Sequence, residues 1–254
     1  MLNRLVDRLR YDVVIVRPDR AEDARSDVLN KRALAHHLNR LFAQLDIDCV
    51  LDVGANRGQY RDFLRRSVGY EGWIISFEPV RRNVRIMEAA AARDPRWIVR
   101  GCALGRANGQ RDINVMRSDD LSSFLTPDDS VVNQFREVNV VDRTESVEVK
   151  RLDAVLPELR ASYPMRNVYL KMDTQGLDLE VIEGAGAELH GVGALQTELS
   201  VRPLYSGIPS YQDTLHTLEN RGFSISTICP VSLDEAMRVI DLDCVMVNDG
   251  PRTD

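Results

Sequence analysis

Two acids stand where chemistry could begin: Asp173, in Leu170-Lys171-Met172-Asp173-Thr174-Gln175-Gly176, and Glu198, in Ala194-Leu195-Gln196-Thr197-Glu198. Each closes an apolar run of strand character, and in open α/β sheets ligands collect beyond the carboxyl ends of the strands. A carboxylate placed there can take the proton of a weakly acidic alcohol, or hold a divalent cation such as Mg²⁺ that makes the alcohol more acidic. In the cation alternative Asp173 is one ligand and Glu198 or Asp178 completes the set. Asp173 also has a plain structural use, as the N-cap of the helix after it. No two of the four histidines have metal-ligand spacing. His37, beside the apolar face of an early helix, is the reserve candidate for a base.

A second group of residues describes what such a base would serve. Val50-Leu51-Asp52-Val53-Gly54-Ala55-Asn56-Arg57-Gly58-Gln59-Tyr60 is an apolar strand running into two glycines, and Trp73-Ile74-Ile75-Ser76-Phe77-Glu78-Pro79 is a second strand ending in an acid. Gly54 and Gly58 allow a tight turn and close approach to a ligand, and Glu78 is placed to accept hydrogen bonds from both hydroxyls of a ribose. A dinucleotide fingerprint would carry three glycines as G-x-G-x-x-G around a pyrophosphate. Gly54-x-x-x-Gly58 lacks that cradle, and Asp52 would repel a phosphate. The pattern suits S-adenosylmethionine, whose sulfonium and amino group favour a carboxylate such as Asp52 and whose own carboxylate can meet backbone amides at the start of the helix after Gly58.

The chain around these motifs has 254 residues, a net charge of −6 and 44% hydrophobic residues, which fits one large α/β domain with a sizeable core. An acidic balance without a stripe of basic and aromatic residues argues against a nucleic-acid partner. Lysine occurs only at Lys31, Lys150 and Lys171, an arginine bias typical of a GC-rich bacterial coding sequence. Cys49, Cys102, Cys229 and Cys244 lie in or beside apolar segments without a C-x-x-C pair, as expected of reduced thiols in a cytoplasmic protein. No segment has the length of a transmembrane helix. Met1–Arg10 reads as a short amphipathic helix that packs on the domain, with transient contact to a lipid surface as its alternative use.

Apolar runs bounded by turn signals recur at Cys49–Val53, Trp73–Phe77, Trp97–Gly101, Asn167–Met172, Ala194–Glu198, Phe223–Ile228 and Leu242–Val247, mostly separated by helical patterns. That alternation predicts a doubly wound, seven-stranded, largely parallel sheet whose closely spaced last two strands form an antiparallel hairpin. A further strand is expected at Asp12–Val16. An early helix over Asp27–Leu45, capped by Ser26, completes an N-terminal helical cap (1–46) on a core of 47–248. Ser210 and Asp213 form a capping-box variant. Gln110–Arg117 and Ser146–Arg151 read as extra strands of an insertion (about 106–151) flanking a polar segment, a candidate substrate-binding element or contact in a homodimer. Arg202, Tyr205 and Tyr211, in the loop after Glu198, could offer hydrogen bonds and an aromatic face to a sugar.

These residues together resemble the FkbM family of S-adenosylmethionine-dependent methyltransferases. The likeness rests on V-L-D-V-G-A-N-R-G-Q-Y, F-E-P, Cys102-Ala103-Leu104-Gly105 with Gly109, L-K-M-D-T-Q-G, Glu198, Leu204-Tyr205 and Gly222-Phe223, in that order. It implies a class I, Rossmann-like methyltransferase fold and O-methylation of a hydroxyl, on a sugar in a glycolipid or glycosylated natural product. It also implies that Asn56 and Tyr60 line the methionine end, that Pro79 lies beside the adenine, and that Cys102, Ala103 and Leu104 offer backbone contacts to the adenine edge. Ser122 and Ser123 match a serine pair near the site. Asp178 departs from the family's usual Glu, which puts any role needing the longer reach in question. Two other functions compete: an NAD(P)-dependent oxidoreductase, and a non-catalytic cofactor-binding scaffold protein.

Overall fold

The computed structural model describes residues 22–127 and 139–250. The strand expected at Asp12–Val16 and the amphipathic opening Met1–Arg10 lie outside them. In chain order the elements are α1 (Glu22–Gln44), β1 (Cys49–Val53), α2 (Gln59–Phe63, continued by a π-helical turn Leu64–Val68), β2 (Trp73–Phe77), α3 (Arg81–Ala91), β3 (Trp97–Arg100) and β4 (Ala103–Leu104). They continue with β5 (Gly109–Met116), β6 (Val141–Lys150), α4 (Leu152–Ser162), β7 (Val168–Met172), α5 (Asp178–Ala185), β8 (Val192–Ser200), α6 (Tyr211–Glu219), β9 (Phe223–Leu233) and β10 (Val239–Asn248).

Seven strands form one sheet in the order β3-β2-β1-β7-β8-β10-β9. The first five pair in parallel, whereas β10 runs antiparallel to both β8 and β9. The hairpin is therefore the expected one, and β10 slides between β8 and the edge strand β9. Strands β1 and β7 are buried throughout because helices cover both faces, which is why they read as apolar runs broken only by Asp52 and Lys171. On one face α1 lays Leu34, Leu38, Leu41 and Phe42 against Val50, Ile74, Tyr169 and Ala194. On the other, Leu152, Leu156 and Leu159 of α4 and Val181 and Ile182 of α5 pack on Leu51, Ile75, Leu170 and Leu195. At about 1.5–3 kcal/mol for each large side chain removed from water, these two layers supply the main force holding the helices to the sheet.

Two boundaries differ from expectation. Helix α1 is already formed at Glu22, so Ser26 lies inside it and is not its N-cap. Strand β6 begins at Val141, five residues before the expected Ser146, because its amino-terminal half pairs with β5 as a long hairpin arm. The insertion is a three-stranded sheet, β4-β6-β5. Ser210 caps α6 as anticipated, its hydroxyl accepting the Asp213 N–H at 3.1 Å.

A polar row crosses the α1 face of the sheet at one register. Ser76, Asp52, Lys171 and Gln196 are lateral neighbours on β2, β1, β7 and β8. Each stands two residues after an apolar residue of the α1 contact layer (Ile74, Val50, Tyr169 and Ala194), and the row marks where packed core gives way to a cavity.

Candidate active site

Above the polar row, at the carboxyl ends of β1, β2 and β7, lies a cavity of about 420 Å³. Its floor and walls include Gly54, Asn56, Tyr60, Glu78, Pro79, Ala103, Leu104, Ser123 and Asp173. Helix α1 contributes Leu34, and the insertion contributes Ile113 and Phe124. A volume of this size suits a drug-sized ligand, and a position beyond parallel strand ends is where α/β sheets place theirs.

The glycines serve this shape differently from what their spacing suggests. Gly54 has φ +76°, and a Cβ on it would stand 1.9 Å from the backbone oxygen of Asp173. Its bareness lets the loop after β1 touch the loop after β7. Gly58 has φ +87°, and a Cβ there would meet the Trp97 indole at 2.7 Å. It does not line the cavity, so its requirement is packing. As the N-cap of α2 it offers no side-chain acceptor to the first-turn amides of the helix.

Glu78 is 5% exposed, and each of its oxygens takes one backbone N–H: Asn56 at 2.8 Å and Val80 at 2.8 Å. Burial pushes its carboxyl up to about 7 despite those two bonds. Each oxygen has a lone pair to spare for a ligand donor. Asn56 is held at φ +49°, and its Oδ1 is buried without a partner. An orphaned acceptor at a cavity wall is the kind of group a bound donor satisfies.

Asp52 is placed otherwise than expected. It is fully buried beneath the cavity and does not line it, with Oδ2 accepting from Ser76 at 3.1 Å and Oδ1 facing Lys171 Nζ at 3.3 Å. Trp97 Nε1 donates to Ser76 at 3.0 Å and closes the chain. Burial pushes the Asp52 carboxyl up, while Lys171 and the Ser76 hydroxyl pull it back. For Lys171, burial acts to lower the ammonium, and Asp173 and Asp52 outweigh it and raise it. Lys171 thus stays an ammonium beside Asp52. The cavity therefore meets Lys171, which also lies 3.4 Å from Asp173 and 5.1 Å from the centre of the Tyr60 ring. Three acids, Asp173, Asp52 and Asp243, thus surround this one ammonium.

The other expected residues divide. The Tyr60 ring lines the cavity while its hydroxyl donates to Gln196 Oε1 at 2.8 Å. Ala103 and Leu104 present β4 to the cavity, but Cys102 turns into the core, where burial raises its thiol to about 11. Ser123 is in the wall with its hydroxyl already used: it donates to the Gln175 carbonyl at 3.0 Å and accepts from the Leu125 N–H at 3.1 Å. Ser122 accepts from the Met116 N–H at 3.3 Å. Both serines thus hold the insertion's loop in place.

Asp173 is not the helix cap. Helix α5 begins only at Asp178, and it is the buried Asp178 that ties the turn, accepting from Thr174 N–H (3.0 Å) and Oγ1 (2.6 Å), Thr197 Oγ1 (2.6 Å) and Glu198 N–H (3.2 Å). A shorter acid fits that task, and with its oxygens committed it is not available as a metal ligand. Asp173 keeps 40% of its side chain exposed and faces the cavity. Gln175, in the left-handed region at φ +52°, donates from Nε2 to both Asp173 Oδ1 (2.9 Å) and Glu198 Oε2 (3.2 Å).

Glu198 does not reach the large cavity. It lines a smaller one, of about 240 Å³, whose wall shares Asp120, Asp173 and Gln175 with the first. Burial, then the neighbouring carboxylates led by Asp173, push Glu198 well above the usual carboxylate range. Tyr205 lines this smaller cavity and donates to Gln175 Oε1 at 3.2 Å. Arg202 instead pairs with Asp234, and Tyr211 packs on the core. His37 bonds Ser226 at 3.0 Å, away from both cavities, and is withdrawn as a base. Among the described residues no group of three or more His, Cys, Asp or Glu could hold a metal ion, and no helix is long and apolar enough to cross a membrane.

Sequence reasoning passed over Lys171, Gln175, Gln196 and Asp243, all of which line the large cavity. For Lys171, Gln196 and Asp243 the signal was a polar residue interrupting an apolar strand, as in Tyr169-Leu170-Lys171-Met172 and Leu242-Asp243-Cys244-Val245; Gln175, in the turn after β7, had none.

The family model described as the methyltransferase FkbM domain matches residues 52–225, well over half of the chain. Among solved structures, the methyltransferase FkbM from Methylobacillus flagellatus is 16% identical with a TM-score of 0.47, over 78% of this chain and 44% of that one. This chain thus spans less than half the length of that relative. An O-methyltransferase from Bacillus cereus in complex with SAH is 12% identical with a TM-score of 0.45, over 97% and 89% of the two chains. Fibrillarin from Aeropyrum pernix, with natively bound S-adenosyl-L-methionine, is 13% identical with a TM-score of 0.42, over 79% and 66%. No functionally curated protein matches. The family match sets the chain among methyltransferases, and the fold is the Rossmann-like one of that class.

Proposed function

We propose that this chain, which belongs to the FkbM family of methyltransferases, binds S-adenosylmethionine in the larger cavity and methylates a hydroxyl, of a sugar in a glycolipid or glycosylated natural product, presented from the smaller one. The observation that carries this reading is the shared wall. A ribose-competent acid, Glu78, lies in one cavity, and the boundary with the next is made by Asp173 and Gln175. When bound, the cofactor supplies an electrophilic methyl group. Glu78 would accept from the ribose hydroxyls, Pro79 and the β4 backbone at Ala103 and Leu104 would flank the base, and the Asn56 Oδ1 and first-turn amides of α2 would hold the amino-acid end. Asp173 would take the proton of the acceptor hydroxyl as that oxygen is methylated. The acidic surroundings of Lys171 favour a sulfonium, and the Tyr60 ring offers it a π face.

Ligand-induced stabilisation tests the cofactor. S-Adenosylhomocysteine should raise the melting temperature, by the equivalent of about 2.7 kcal/mol at 100 times its Kd, while NAD and NADP leave it unchanged. A shift with NAD alone sinks the reading. Transfer of labelled methyl to an acceptor then separates an enzyme from a scaffold.

Glu78 makes the same site pH-dependent. Its carboxyl sits near 7, and ribose hydroxyls donate to its ionised form. Cofactor affinity is therefore expected to rise as pH goes from 6 to 8, with proton release on binding. The ligand-free protein shows the opposite sign: a raised carboxyl contributes stability at low pH that is lost as pH rises toward 7. Calorimetry in buffers of different ionisation enthalpy measures the released proton. Glu78→Gln should flatten the profile and cost roughly 1.5–3 kcal/mol for each charge-assisted bond lost. An unchanged profile removes Glu78 from the cofactor site.

A further inference from the structure

Tyr60 is the second residue of a short helix, α2, and its ring reaches the wall of the larger cavity while its hydroxyl is anchored elsewhere in the chain. The anchor is Gln196 on β8, 136 positions away, whose Oε1 accepts the Tyr60 hydroxyl at 2.8 Å. The same oxygen accepts the hydroxyl of Tyr169, from β7, at 3.1 Å. Both lone pairs of Oε1 are therefore in use. Gln196 is 2% exposed and Tyr169 is fully buried, so the tether stands on protein groups alone.

The Gln196 amide has one way round. Val245 of β10 lies opposite it in the ladder, which puts Asp243, two residues before, on the same face of the sheet and diagonal to it. Burial raises the Asp243 carboxyl to about 6, and a hydrogen bond from the Gln196 side chain pulls against that rise. A carboxyl on that side calls for the Nε2 donor, which leaves Oε1 for the two phenols. Burial, then the neighbouring Tyr169, holds the Tyr60 phenol well above its usual range, so it remains a donor. A ring held at its Cβ and again at its hydroxyl has few rotamers left to it. Lys171 Nζ, 5.1 Å from the ring centre, shows that its π density already meets a cation.

We propose that Gln196 is a positioning residue for the methyl donor: by holding the Tyr60 hydroxyl it sets the Tyr60 ring against the sulfonium in the larger cavity, and so favours the charged donor over its neutral product. This assignment rests on the cofactor reading above and names, within it, the residue that separates S-adenosylmethionine from S-adenosylhomocysteine. Gln196 acts through Tyr60. Tyr169 shares the same oxygen but belongs to the core beneath the cavity, and it supplies the comparison. A buried amide that only satisfies two phenols would make the two tyrosines equivalent.

The test measures the dissociation constants of S-adenosylmethionine and S-adenosylhomocysteine by calorimetry, on the full chain and on Gln196→Met, Tyr60→Phe and Tyr169→Phe. Each tyrosine substitution removes one hydroxyl and leaves Oε1 the other. Gln196→Met and Tyr60→Phe are each expected to weaken S-adenosylmethionine roughly ten-fold, the scale of a displaced cation–π contact, and S-adenosylhomocysteine less than about two-fold. Tyr169→Phe should move either constant by less than about two-fold, although it gives up a bond to the same oxygen. Combining Gln196→Met with Tyr60→Phe should weaken S-adenosylmethionine no further than Gln196→Met alone, because the two act in series. Equal weakening of both ligands assigns Gln196 a structural role and overturns the proposal. So does an effect of Tyr169→Phe as large as that of Tyr60→Phe, or S-adenosylmethionine binding that Tyr60→Phe leaves unmoved. Should Gln196→Met fail to fold, the two tyrosine variants decide by the same comparison. S-Adenosylhomocysteine bound by every protein with an unaltered preference defeats this proposal alone, whereas no binding of it by the unsubstituted protein defeats the cofactor reading beneath.

Discussion

Asp173→Asn is expected to lower turnover by roughly 10²-fold or more, the scale of a lost general base, while folding and S-adenosylhomocysteine binding stay nearly intact. The geometry makes this a clean substitution. Asp173 caps no helix, because α5 begins at Asp178, and its backbone contact to Val53 O at 3.0 Å is indifferent to the side chain. Asparagine keeps an oxygen for the Gln175 amide, and Lys171 keeps Asp52 as its buried counter-ion. What is lost is a carboxylate at the boundary of the two cavities. Initial rates with a good acceptor, set beside calorimetry for the cofactor product, measure the two quantities separately. Full turnover in Asp173→Asn would send the search for the base to the other groups at that boundary, Asp120 first. Loss of wild-type activity in EDTA and its recovery with Mg²⁺ would convert the acid into a ligand.

Lys171→Met is expected to cost about 3–5 kcal/mol of stability, the usual result of removing one partner from a buried ion pair. Lys171 has 7% of its side chain exposed and Asp52 has none, so without the ammonium the Asp52 carboxylate is left with Ser76 alone. The variant should relieve this by protonating Asp52. An acid whose folded pKa is raised makes stability fall as pH rises from the ordinary carboxylate range through the new value, so the deficit is expected to be larger at pH 8 than at pH 5.5. Urea unfolding at the two pH values measures it. Adding Asp52→Asn removes the stranded charge and should recover much of the loss, a coupling between adjacent sites that the double-mutant cycle isolates. A Lys171→Met protein within about 1 kcal/mol of the parent at both pH values would mean that the pair contributes nothing to the sheet.

The Lys171 case also shows where reading the sequence stopped. Period and apolar content were enough for the parallel sheet, because β1 and β7 are covered on both faces and such strands carry a near-continuous apolar run, here interrupted once in each by Asp52 and Lys171. The closing hairpin was legible from the short spacing of the last two strands. Glu78 was placed at a strand tip by its own local motif, and the structure brings it to the cavity wall. Those features depend on residues close together in the chain.

The partners of the acids do not. Asp52 looked like a carboxylate free to meet a cation, and only the lateral pairing of β1 with β7 brings Lys171, 119 positions along, to 3.3 Å from it. Asp173 and Glu198 looked like two tips of one site, and Gln175 in a left-handed turn stands between them, with Asp173 lining both cavities and Glu198 only the smaller. Gly58 looked like a ligand contact, and the Trp97 indole from β3 occupies the space a Cβ would need. By itself the sequence determined the strands, their covering helices and the strand tips at which polar groups gather, because periodicity is a property of neighbours along the chain. Which carboxylate is neutralised, which stays open and which shares a pocket was decided only by strand register and loop contacts, because a charge is set by whatever folding brings within a few ångströms of it.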